Sequence, residues 1–79
     1  MKIISLHLAP IRKPHKIIEI TAGLDARKKL LALGIHVGDT ISKISHSRWS
    51  PVLIRNVTTH SSKIAISHGL ARKIMVGDE

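Results

Sequence analysis

Isoleucine dominates the apolar residues of this chain: there are thirteen, against eight leucines, four valines and a single aromatic residue, Trp49. β-branched side chains are stiff at χ1 and pack well on a pleated surface, so this excess favours strands over helices. The isoleucines also come in strand-length runs separated by turn-forming residues. "HKIIEI" (15–20) carries isoleucine on both faces, which predicts a strand buried on both sides or strongly twisted. In "TISKIS" (40–45) Ile41 and Ile44 differ in parity, so either a bulge lies there or the Lys43 stem packs inward with its ammonium reaching out. "PVLIRNV" (51–57), "KIAIS" (63–67) and "IMV" (74–76) supply the remaining strands. Pro10 and Pro14 make the segment between them irregular or an edge, because proline cannot donate to a ladder.

One segment reads as a helix. Asp25 is an N-cap candidate, Leu30, Leu31 and Leu33 give an apolar side, and Gly34 is suited to the left-handed C′ position, with Ile35 after it to fold back. The spacing predicts a helix over 26–33, with Leu30 and Leu33 as its core contacts. Two turns are not stable alone, so this helix must plug onto a sheet. Gly38 and Asp39 then make a turn, and "HGLARK" allows a one-turn helix near 68–72. The expected architecture is all-β: a small, partly open barrel of about five strands, SH3-like or OB-like in size, with one plugged helix. Residues 1–79 form a single domain, since a typical domain takes ~100–150 residues.

Several function classes fall away on composition. There is no cysteine, hence no disulfide and no thiolate metal site, which fits a reducing cytosol. No apolar run approaches the ~20 residues that span a bilayer, so no direct membrane insertion is expected. "MKIISLHLAPIRKP" reads as a first strand or turn rather than a targeting segment, because His7 and Pro10 interrupt it. No Gly-x-x-x-x-Gly-Lys phosphate loop occurs, and Asp25 and Asp39 are occupied as cap and turn residues, so no catalytic triad is expected and the chain is not an enzyme. Recognition of proline-rich peptides needs an aromatic groove that one tryptophan cannot build.

The formal net charge of +8, thirteen basic residues against five acidic, invites polyanions, anionic leaflets or acidic proteins. Base stacking would rest on Trp49 alone, so binding of a specific nucleic acid is not expected. Six histidines raise the question of a metal. No pair has His-x-His or His-x-x-x-His spacing, and hard oxygen ligands are few. No cofactor and no metal site are therefore expected; His60 and His68, eight apart and able to face across a hairpin, come nearest to one. Arg27, Lys28 and Lys29 open the helix against its macrodipole, at ~0.3–1 kcal/mol each, which favours a docking role for them. Trp49 either covers one end of the barrel or anchors an interface.

The run "ARKKLLALGIHVGDTISKIS" resembles the signature of the ferrous iron transport protein A family, the FeoA-like domains, through Arg27, Leu30, Leu31, Leu33, Gly34, Ile35 and Gly38. "SPVLIRNVTTHSSKIAISHGLARKIMV" is similar to the family's paired strands and Ala-x-x-Ile ending, through Pro51, Ile64, Ile66, Ala71 and Ile74, and "SLHLAPIRKPHKIIEI" to its opening. Two loops depart from the pattern: "TTHSS" lacks a glycine often found there, and "SRWS" stands where Gly-Asp is usual. The resemblance implies an SH3-like fold related to the C-terminal domain of iron-dependent repressors. It also implies a cytoplasmic accessory that docks on the soluble GTP-binding domain of a membrane ferrous-iron transporter. Arg27, Lys28, Leu31 and Trp49 are the expected contacts. The alternatives are a basic nucleic-acid-binding or transcription-regulatory module, and a weak homo-oligomer formed through exposed strand edges.

Overall fold

The computed structural model describes residues 2–78. Six antiparallel strands make one sheet: β1 (Lys2–Ser5), β2 (Pro14–Ile20), β3 (Thr40–Ser45), β4 (Val52–Asn56), β5 (Ile64–Ile66) and β6 (Ile74–Asp78). Their order is β1-β6-β2-β3-β4-β5, so the chain meanders from β2 to β5 and then inserts β6 between β1 and β2. The sequence suggested about five strands. The sixth comes from the opening residues, which pair with the end of the chain: Ile3 lies opposite Gly77 and Ile4 opposite Val76. A 3-10 turn, Leu6–Leu8, follows β1.

Two bulges reconcile the parity of the isoleucines. In β2 the register with β6 shifts between Ile17 and Glu19, which lets both Ile17 and Ile20 face the core. In β3 the register with β4 shifts between Lys43 and Ser45, the bulge that Ile41 and Ile44 called for. Lys43 also packs inward, but its ammonium does not reach solvent: the residue is only 2% exposed.

The helix α1 spans Leu24–Ala32, beginning two residues before the expected start. Gly23, not Asp25, occupies the N-cap position, and Asp25 lies in the first turn, where a carboxylate complements the helix dipole. The end follows the Schellman pattern. The Ile35 amide donates to the Leu30 carbonyl (3.0 Å) and the Gly34 amide to the Leu31 carbonyl (2.9 Å), with Gly34 at φ +82°. Leu30 is fully buried, whereas Leu33 is 38% exposed and is not the core contact expected of it. The reason is local: Leu33 is the C-cap, and the reversal at Gly34 delivers Ile35, fully buried, into the core in its place. A second helix, α2 (His68–Lys73), is capped by Ser67, whose Oγ accepts from the Leu70 amide at 3.2 Å. It packs on the 6–8 turn and buries Ala71.

Candidate functional site

Three histidines far apart in sequence meet where the 6–8 turn, the loop after β3 and the start of α2 come together. Pairing of β1 with β6 sets His7 beside α2. The bulge at the end of β3 directs the chain to His46, and the Ser67 cap fixes where α2 begins and so where His68 stands. One ring nitrogen from each of His7, His46 and His68 lies within 4.8 Å of the others. The rings meet edge to face, with centroids 4.6, 5.3 and 5.1 Å apart and interplanar angles of 63–68°. They open onto a cavity of about 420 Å³ lined also by Arg48 and Arg72.

Hydrogen bonding determines which nitrogens carry lone pairs. His68 Nε2 lies 2.8 Å from the Ser47 carbonyl and 2.9 Å from the Ser50 carbonyl. Carbonyls only accept, so Nε2 bears the hydrogen and Nδ1 of neutral His68 bears the lone pair. That nitrogen sits 3.2 Å from His7 Nε2, which donates to it. Lys43 Nζ donates to the His7 carbonyl (3.0 Å) and lies 2.8 Å from His46 Nδ1.

The electrostatics of the pocket are one-sided. Burial, followed by the positive charge of Arg72 and the proximity of His68 and Lys43, holds His7 below the ordinary value of 6.5. Burial and then Lys43 do the same to His46, and burial pushes the Lys43 ammonium down as well. At pH 7 these two rings are therefore neutral and can either ligate a metal or donate to an anion.

The residues singled out from the sequence do not come together in one place. Arg27, Lys28 and Leu31, joined by Leu24, share one face of α1, at helical spacings of three and four, and all are exposed, Leu24 and Leu31 by 69% and 54%. Trp49 is 88% exposed, with the Arg48 guanidinium 5.8 Å from its ring centre. It stands on the loop that carries His46, and at this exposure it does not cover the barrel end. His68 belongs to the cluster, with His7 and His46 as its companions. His60 is exposed, sits in a turn at φ +56°, and is outside the cluster. Sequence spacing missed His7 and His46 because the contact between His7 and His68 spans 61 positions.

Comparison with known proteins decides the family. The model described as "FeoA domain" matches residues 4–77. This chain belongs to the FeoA domain family. A protein of Methanocaldococcus jannaschii, provisionally named Fe(2+) transport protein A, is 42% identical over 60 residues, 76% of this chain and 68% of that one. An iron uptake regulatory protein (FeoA) of known crystal structure superposes with a TM-score of 0.81 at 26% identity, over 98% of this chain and 97% of that one. The FeoA of Stenotrophomonas maltophilia, crystallised with zinc and described as a prokaryotic SH3 domain protein, superposes with a TM-score of 0.68 over 94% of this chain and 89% of that one. Its 15% identity carries the fold alone, and the fold is SH3-like. As a member of the FeoA family, this chain is an accessory protein of ferrous iron transport. Among the described residues no helix is long and apolar enough to cross a membrane.

Proposed function

We propose that this FeoA-family chain works in the cytoplasm and docks on the soluble GTP-binding domain of the membrane ferrous-iron transporter, modulating uptake. The observation that supports this reading is the outer face of α1. The helix gives the core Leu30, with Ala26 packed against it, and turns Leu24, Arg27, Lys28 and Leu31 outward. Two exposed leucines flanking two cations suit an acidic, partly apolar partner surface, and a net charge of +8 speeds encounter with it. Trp49, exposed on the loop after β3, is the second contact.

The experiment is capture of the transporter's soluble domain by the full chain, with and without guanine nucleotide. The pair Arg27→Glu and Lys28→Glu weakens capture about tenfold or more, while the thermal stability changes by no more than about 0.5 kcal/mol, as for other surface substitutions. Undiminished capture by the charge-reversed chain removes α1 from the interface. A titration with duplex DNA at two salt concentrations runs beside it. Tight binding that survives moderate salt overturns the docking reading in favour of a nucleic-acid module, since phosphate-driven affinity falls steeply with salt.

A further inference from the structure

We propose that His7, His46 and His68 form a binding site for one divalent transition-metal ion of the imidazole-seeking class, such as Zn²⁺, Co²⁺ or Ni²⁺, with its fourth position facing the cavity. The site is independent of the docking face on α1, and neither reading needs the other.

Geometry carries the proposal. An ion bound tetrahedrally by imidazoles at ~2.0–2.1 Å holds its donor atoms ~3.3–3.4 Å apart. His7 Nε2 and His68 Nδ1 are already 3.2 Å apart, and one ring nitrogen from each of the three histidines lies within 4.8 Å of the others. An ion entering between His7 and His68 replaces the one hydrogen they share as His7 moves to its other tautomer, and the hydrogen bond from Lys43 to His46 Nδ1 gives way when His46 ligates.

The support around the rings is of the kind a ligand histidine has. The far nitrogen of His68 donates to two backbone carbonyls, Ser47 and Ser50, which fixes its tautomer and aims Nδ1 into the cluster. The rings meet edge to face around a common point instead of stacking in parallel. They are half-buried at a cavity mouth, so the cluster is not part of the aliphatic core, to which none of the three contributes.

The donor set also selects the ion. The chain has no thiolate, and among the described residues no carboxylate joins the cluster, so neither very soft nor hard oxygen-seeking ions are favoured. Among first-row ions, affinity for such nitrogen donors rises from Fe²⁺ through Co²⁺ to Ni²⁺ and beyond. A ferrous ion is therefore bound more weakly here than Zn²⁺. Arg48 and Arg72 oppose a bare dication but favour an anionic fourth ligand, hydroxide or a carboxylate, which lowers the net charge of the filled site.

The same cations admit a competing occupant, a free inorganic anion held by the arginines and ring N–H groups, and the test separates the two. The full chain, stripped with a chelator, is titrated with Co²⁺ and separately with inorganic phosphate. One Co²⁺ per chain is expected, with the intense visible absorption of tetrahedral cobalt, displaced by Zn²⁺ and accompanied by a rise in thermal midpoint. His68→Ala and His46→Ala each weaken binding at least about tenfold, and His60→Ala leaves it unchanged. Should a variant fold poorly, nitrogen-detected NMR of the wild-type rings serves instead: Zn²⁺ shifts His7, His46 and His68 and leaves His36 and His60 in place. Cobalt bound without the tetrahedral spectrum, or equal response of His36 and His60, overturns the proposal. So does phosphate shifting the three rings where Co²⁺ does not.

Discussion

Two polar clusters are built into this small sheet, and they are balanced in opposite ways. The first surrounds Asn56 at the end of β4, which is fully buried. Its Nδ2 donates to the Gly34 carbonyl and to Asp39 Oδ2, both at 2.8 Å, and its Oδ1 accepts from the Thr59 amide at 3.3 Å. Its own amide donates to Ser61 Oγ, and its carbonyl accepts from the Ser61 amide. Donors match acceptors, and the cluster ties the end of α1 to the sheet. The second cluster, Lys43 with His7, His46 and His68, has donors and lone pairs but no anion among the described residues, and two arginines stand at its rim. A saturated network fixes a shape; an unbalanced one invites something from outside to complete it.

The largest effect that bears on this contrast is expected at Asn56. Asn56→Ala leaves the buried Gly34 carbonyl without its side-chain donor and takes one donor from Asp39 Oδ2, which keeps those of His36, a loss of about 1–3 kcal/mol. The drop is read from urea unfolding of the metal-free protein. Asn56→Asp should not rescue it, because the side chain no longer donates at neutral pH. A loss below about 0.5 kcal/mol means that the Schellman turn holds α1 without help from β4, and the first cluster is then ornamental.

At Lys43 the stability change should be smaller and the binding change opposite in sign. Lys43→Met removes a buried charge whose partners are neutral, so the transfer gain offsets the hydrogen bonds lost and stability stays within about 1 kcal/mol of wild type. A lysine charge a few ångströms from a dication costs on the order of 1–2 kcal/mol even at water-like screening. Co²⁺ affinity should therefore rise by roughly tenfold in the variant. Weaker binding would show that Lys43 orients His46 and that its charge is not the obstacle.

The contrast also explains what the sequence could tell. The end of α1 was readable because the signal is local: a glycine at positive φ and an isoleucine one residue on, whose amide returns to Leu30. The β3 bulge was readable from the parity of Ile41 and Ile44, and the outward cations of α1 from their position in the first two turns. Leu33 departs from its expected place because helical periodicity does not extend into the cap, where the backbone already reverses. β1 reads equally as strand or turn in the sequence because its partner lies at the other end of the chain. The histidine cluster depends on that same pairing. Motif spacing finds ligands that share a helix or a hairpin, and here each ring comes from a different element. A signal did exist: His68 follows a capping serine, and His7 follows the strand that pairs with β6. It becomes visible only once the two chain ends are placed side by side. Asn56 gave no signal, since an asparagine ending a strand is as often a solvated turn residue.

The smallest effect separates the two clusters by pH. Both His7 and His46 have folded values below 6.5, from burial first and then from Lys43, Arg72 and His68 facing them. Below pH 6.5 the unfolded chain takes up protons that the folded chain refuses. Stability therefore declines as pH falls from that point, and the contribution is gone once pH has passed through the lowered folded values. Asp39 is also pushed down, first by the Asn56 hydrogen bond and then by His36, so its contribution is complete above 3.8 and is lost as pH falls through its lower folded value. Urea midpoints of the chelated protein from pH 8 downward should show two declines, the upper beginning near 6.5 and the lower near 3.8. Replacing His7 and His46 by glutamine flattens the upper decline and leaves the lower one. Asn56→Ala does the reverse, because Asp39 loses the donor that lowered it. A single decline in the carboxylate range, unchanged by the glutamines, would mean that the rings carry their protons in the folded state. The histidine pocket would then already be charged and suited to an anion, and the contrast between the clusters would be one of sign instead of saturation.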